Sequence, residues 1–158
     1  MPVLTAENSF REGLVALVEG RPADASRCFE SAMQTERNHS TARPQMRYLS
    51  YYGLSFAMAH GPTREAIRAC ETAASNEFYN PDMLLNLGKV YMMAGKTTRA
   101  MEAFERGIRL SPRHKGLKAA QGRSERRKRR SVGWLRRDHP VNYWLGRMRA
   151  PAMRNFEA

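Results

Sequence analysis

Between Pro81 and Pro112 the apolar and small residues fall on two helical faces. Leu84, Leu87, Gly88 and Tyr91 share one face, and Ala100, Phe104, Gly107 and Ile108 share the next. This spacing, close to 3.6 residues, predicts two amphipathic helices joined at Gly95. Gly88, Ala100 and Gly107 stand where two helices must approach closely, and Leu87, Tyr91 and Phe104 fill the space around them. Asn80 and Ser111 each precede a proline, so they are the expected N-caps of helices starting at Pro81 and Pro112.

The pattern recurs upstream. Gly13, Gly53 and Gly88 are separated by 40 and 35 residues. In the first unit Leu14, Leu17 and Val18 follow Gly13, Gly20 turns the chain, and Ala25, Phe29 and Ala32 repeat the small–large–small order. In the second, Tyr52, Gly53 and Phe56 match Leu87, Gly88 and Tyr91. Gly61-Pro62 turns the chain there, and Ala66, Cys70 and Ala73 follow. Glu12 and Ala16 replace Leu87 and Tyr91 in the first unit, which predicts thinner inner packing at an N-terminal end. Glu36–Pro44 is polar and aperiodic and is expected to be a loop. On these residues the stretch 5–112 resembles an array of tetratricopeptide repeats, helix–turn–helix units of about 34 residues. The resemblance implies an all-α, right-handed α-solenoid of three units. A capping helix completes a domain at 5–121. A basic tail over 122–158 carries a short amphipathic helix at 139–149.

The resemblance also implies a concave face lined by the first helix of each unit, used to bind protein or peptide. Carried over, the lining is Phe10, Leu14, Leu17 and Val18, then Arg47, Tyr51, Leu54 and Met58. The third unit contributes Asp82, Leu85, Asn86, Lys89, Met92 and Met93. This set is mostly apolar and Met-rich, which suits an amphipathic helix or an extended apolar segment. Some members of the family grip a C-terminal carboxylate with paired Lys and Asn. Asn86 and Lys89 are present, but Leu14 and Leu54 hold the matching positions in the other units, so a full clamp is not expected. The competing reading makes part of this set core, or covers it with residues 134–149.

Charge divides the chain. Residues 113–158 hold 14 Lys/Arg and 3 Asp/Glu, whereas residues 1–112 hold 13 and 12. The run Arg126, Arg127, Lys128, Arg129 and Arg130 is too charged to pack and reads as a solvated linker or an anion-binding patch, joined by Arg136 and Arg137. Beyond it Val141, Trp144, Leu145 and Met148 recur at i, i+3, i+4 and i+7, with Trp134 upstream. Such a short helix is marginal alone and is expected to dock, on the protein itself, a partner protein, an anionic membrane or, with less support, nucleic acid. In one reading the tail plugs the groove or anchors the protein; no nucleic-acid motif is present.

Four dispersed histidines, His39, His60, His114 and His139, lack partners at metal spacing, and no nucleophile or phosphate-loop motif occurs. The chain is therefore read as an adaptor or assembly factor, without cofactor or metal, and not as an enzyme. The alternatives are a small chaperone, similar to the three-repeat chaperones of type III secretion translocators, and a membrane or RNA binder acting through residues 123–149. Cys28 and Cys70 are expected to be small buried hydrophobes. No 18-residue apolar run and no basic-plus-apolar N-terminal leader is found, so a cytoplasmic place is expected, possibly peripheral at the inner face of a membrane.

Overall fold

The computed structural model describes residues 5–39 and 45–129. They form seven helices: α1 (Ala6–Val18), α2 (Pro22–His39), α3 (Met46–His60), α4 (Arg64–Asn76), α5 (Pro81–Met93), α6 (Thr97–Leu110) and α7 (Lys115–Arg129). The chain divides into two compact units, Met1–Gln121 and Gly122–Ala158. In the first, α1/α2, α3/α4 and α5/α6 pair as antiparallel hairpins, and each hairpin packs on the next through α2 with α3 and α4 with α5.

Local chemistry sets the ends of the helices. Thr5, Thr63 and Asn80 accept from the backbone N–H groups of Asn8, Ala66 and Asp82 at 3.2, 3.2 and 3.1 Å, capping α1, α4 and α5. Gly20, Gly61 and Gly95 turn each hairpin with φ of 74°, 88° and 72°, values that a Cβ disfavours.

Glycine also governs how each hairpin closes. A Cβ on Gly13 would lie 2.5 Å from the Phe29 ring, and one on Gly88 would lie 2.2 Å from the Phe104 ring. In the second hairpin a Cβ on Gly53 would lie 2.7 Å from Cys70 Sγ instead. At the C-terminal end a Cβ on Gly107 would lie 2.7 Å from Leu117 Cδ1 of α7.

Several expectations are corrected. The helix after Pro112 begins at Lys115, and its cap is His114, whose Nδ1 accepts from Leu117 N–H at 3.2 Å, not Ser111. Helix α2 runs to His39, so the polar stretch from Glu36 begins as helix. The Glu36 carboxylate accepts from the Gln45 N–H at 3.0 and 3.1 Å. The backbone of α7 is helical through Arg129, so Arg126, Arg127, Lys128 and Arg129 extend the capping helix rather than begin a linker. Gly116 serves close approach, because a Cβ there would sit 2.9 Å from Leu85 Cδ2. The first hairpin is filled by Phe10 and Phe29, which cluster with Tyr48 and Tyr51 of α3 with centroids 5.1–5.6 Å apart. Cys70 is buried but Cys28 is half-buried, and both are free thiols.

Candidate functional site

The first helices of the three hairpins, α1, α3 and α5, present equivalent positions counted from Gly13, Gly53 and Gly88. Five residues after each glycine come Val18, Met58 and Met93. They are 88%, 48% and 39% exposed, an outward apolar row repeated at one register. Leu17 and Met92, one residue earlier, are half-buried, as is Leu14.

Six residues before each glycine come Glu7, Arg47 and Asp82, so the opposite end of the same helices is polar. Arg47 Nη2 donates to Glu7 Oε2 at 2.5 Å, tying α3 to α1. Its guanidinium carbon lies 5.0 Å from the Phe10 ring centroid and 5.1 Å from that of Tyr48, within cation–π range. Arg11 adds a second contact to Glu7 at 3.4 Å.

At Asp82, Oδ1 meets His114 Nε2 at 3.0 Å. Because His114 Nδ1 accepts from the Leu117 amide, Nε2 is the nitrogen that donates to Asp82. Burial, and after it the Asp82 carboxylate, pushes the Tyr51 phenol above its usual range. The polar end thus ties α1 to α3 through Arg47 and Glu7 and α5 to the start of α7 through Asp82 and His114, while the buried Arg47 Nε has no hydrogen-bond partner among the described residues.

The expected lining separates into two groups. Phe10, Leu54, Leu85 and Asn86 are buried and belong to the core, which corrects their assignment to the groove surface. Phe10 joins the aromatic cluster, and Leu54 and Leu85 join the main core. The Asn86 side chain donates to Ser50 Oγ at 3.1 Å, a buried tie between α5 and α3. Asn86 is therefore spent on the fold, and the Asn86–Lys89 pair offers no carboxylate grip; Lys89 is exposed. Leu14, Leu17, Arg47, Tyr51, Met58, Met92 and Met93 remain partly or largely exposed.

His114 is the neighbour of Asp82 that periodicity did not reveal, since it sits between helices. The signal available was its placement 32 residues after Asp82, close to one repeat length.

Of the basic set, Arg126, Arg127, Lys128 and Arg129 fall within α7. Arg130, Trp134, Arg136, Arg137, Val141, Trp144, Leu145 and Met148 lie outside the described residues, as does the helix expected at 139–149. Among the described residues no cluster of three or more His, Cys, Asp or Glu is arranged to hold a metal. No helix among them is long and apolar enough to cross a membrane.

No protein-family model matches the chain, and no curated protein matches it by sequence. Solved structures do. The second TPR domain of human RPAP3, in complex with the HSP70 peptide SGPTIEEVD, superposes with a TM-score of 0.59 at 16% identity. That match covers 79% of this chain and 98% of that one. The Arabidopsis OM64 TPR domain gives 0.60 at 17%, covering 77% and 94%. The Sgt2 TPR domain from Aspergillus fumigatus gives 0.63 at 17%, covering 78% of both chains. The fold is that of the tetratricopeptide-repeat solenoid, with three repeats, α1/α2, α3/α4 and α5/α6, followed by α7.

Proposed function

We propose that the chain is a protein-interaction module whose α1–α3–α5 face takes an apolar or helical segment of a partner protein. The observation that carries this reading is the row Val18, Met58 and Met93. Large apolar side chains stand out into solvent at one register position in all three repeats. Exposed apolar groups aligned in this way have an unmet burial gain that a partner's apolar face can supply. Methionine at two of the three positions lets the surface adapt to the partner's shape.

The structural neighbour from human RPAP3 binds a peptide ending in Glu-Glu-Val-Asp. The face proposed here has different chemistry. Leu14 and Leu54 are apolar, Asn86 is bonded to Ser50, and Asp82 and Glu7 place carboxylates at the polar end. An acidic C-terminal tail is therefore a poor fit, and an internal amphipathic segment is the better one.

The test is a photo-crosslinking residue at position 58, followed by titration of the captured segment against wild type and the Met58→Glu/Met93→Glu variant. The double variant, with unchanged helicity, should bind at least about tenfold more weakly, since buried interface anchors dominate affinity. Equal affinity for wild type and variant would place the binding surface elsewhere. The peptide SGPTIEEVD, tested alongside, should show no saturable binding.

A further inference from the structure

The joints that follow α4 and α6 are built alike. Residues 77–80 form a turn closed by the Asn80 N–H, which donates to the Glu77 carbonyl at 3.0 Å. Residues 111–114 form a turn closed by the His114 N–H, which donates to the Ser111 carbonyl at 3.1 Å. The central residues are Phe78 and Tyr79 in the first turn and, 34 residues on, Pro112 and Arg113 in the second. The bond from His114 Nε2 to Asp82 Oδ1, 3.0 Å long, fastens the two joints together. Phe78 and Tyr79 are 62% and 63% exposed, with ring centroids 5.7 Å apart and planes at 82°. Leu110, where α6 runs into the second turn, is exposed as well.

Charge around the second turn is one-sided. Residues 106–118 hold five Lys/Arg and no Asp/Glu. Arg106, Arg109, Arg113, Lys115 and Lys118 are all exposed. Among the described residues none of the five forms an ion pair, whereas Arg11, Arg21, Arg27 and Arg47 each meet a carboxylate.

From this juxtaposition of exposed rings and unpaired cations we infer that the two turns form a second protein-docking surface, for an acidic segment of a partner that carries aromatic side chains. The cations supply charge complementarity and steer the encounter. The ring pair, set on a hydrogen-bonded turn, offers rigid contact area at little cost in ordering. This surface is distinct from the apolar row, because Val18, Met58 and Met93 stand at the other end of α1, α3 and α5, beside the turns at Gly20, Gly61 and Gly95. Two carboxylates in the same joints, Glu77 and Asp82, select the class of partner. A nucleic-acid strand or an anionic membrane presents uniform negative charge and meets them unfavourably. A peptide brings backbone N–H donors that they can accept. Nearly perpendicular rings also make a poor platform for the successive bases of a single strand.

Fluorescence anisotropy on the full-length protein tests this with the fluorescein-labelled peptide DEDFEDYEDE. Expected is saturable binding at low salt. Phe78→Ala/Tyr79→Ala, which changes no charge, should weaken it at least about tenfold, and so should Arg113→Gln/Lys115→Gln. All four side chains are exposed, so both variants should keep the wild-type helicity. The ringless peptide DEDAEDAEDE should bind wild type at least about tenfold more weakly than DEDFEDYEDE. The peptide SGPTIEEVD, acidic but without an aromatic residue, should stay unbound. Met58→Glu/Met93→Glu should leave the affinity for DEDFEDYEDE unchanged, and a loss there would put the peptide in the groove and overturn the inference. No saturable binding at low salt would also overturn it. So would a ring variant that binds like wild type, since a peptide held by charge alone on the basic residues after Gln121 ignores the rings. Tighter binding of an oligouridine of matching length, or of phosphatidylserine vesicles, with the same loss in the ring variant, would overturn the class of partner.

Discussion

Tyr91 links the buried core of the third repeat to its surface, since its hydroxyl donates to Glu71 at 2.5 Å across the α4–α5 interface. Burial, and then that carboxylate, pushes the phenol up to about 12. Tyr52 is pushed up to about 12 in the same order of causes, through burial and Glu65. Only the neutral phenol donates, so the folded state holds its proton where an unfolded tyrosine, with a pKa near 10, releases it. The sign follows. The contribution to stability is fully present below about pH 10 and is lost as pH rises toward about 12. Urea denaturation at pH 8, 10 and 11 should show stability falling across that window. Tyr91→Phe should flatten the fall and cost about 1 kcal/mol near neutrality, the net worth of one hydrogen bond. An unchanged alkaline slope in the Phe variant would show that the Tyr91–Glu71 bond is not its source. Cys70 illustrates the same physics with a weak partner, since its thiol donates to the Ser50 carbonyl at 3.4 Å. Burial pushes its thiol up to about 12, so it serves as a small apolar neighbour of Gly53 rather than as a nucleophile.

Each hairpin depends on a small residue of one helix facing a large one of the other. The Gly88–Phe104 contact is the tightest, since a Cβ at 88 would sit 2.2 Å from a ring that is itself fully buried. Gly88→Ala should therefore destabilise the protein by about 1–3 kcal/mol through overpacking, although alanine is the better helix former. Adding Phe104→Leu, which frees the space, should recover part of the loss in thermal denaturation. A double variant as unstable as the sum of its singles would mean that the two side chains do not compete for one volume. These contacts were legible in the sequence because both partners belong to one repeated spacing, Gly13 with Phe29 and Gly88 with Phe104. The fate of Phe10, Leu54 and Leu85 was not. Periodicity tells which face of a helix is apolar, but a first helix in a stack meets its own hairpin partner and the helices of neighbouring hairpins. A position next to the groove is therefore closed off wherever a neighbour arrives. Phe10 is covered by Tyr48 and Tyr51 of the following repeat, and Leu85 by Gly116 of α7. The His114 cap was missed for a related reason. Ser111-Pro112 has the local signature of a helix start, while His114 is fixed by both the Leu117 amide and Asp82 of a distant helix.

The buried residues of the repeat unit fall into two clusters, one of aromatics around Phe10, Phe29 and Tyr48 and one running from Leu54 to Leu117. A stack of repeats gains stability from each hairpin and from each interface with the next, so damage is felt first by neighbours. Leu117 is the strongest probe of this at the C-terminal end, because it is fully buried and sits over Gly107 while standing outside the three repeats. Leu117→Ala should cost about 2–5 kcal/mol, the usual range for emptying a leucine site. The loss should also be uneven along the chain. In native-state hydrogen exchange, amides of α6 and α5 should lose protection most, since α7 closes over Gly107 and Leu85. Those of α1 and α2, which build the other cluster, should change least. Equal loss of protection from α1 to α6 would mean that the three repeats open as one cooperative block, in which case the neighbour-by-neighbour account of this solenoid fails. The uneven outcome would instead show that α7 is the cap that holds the third repeat in place, and with it the Met92–Met93 end of the apolar row.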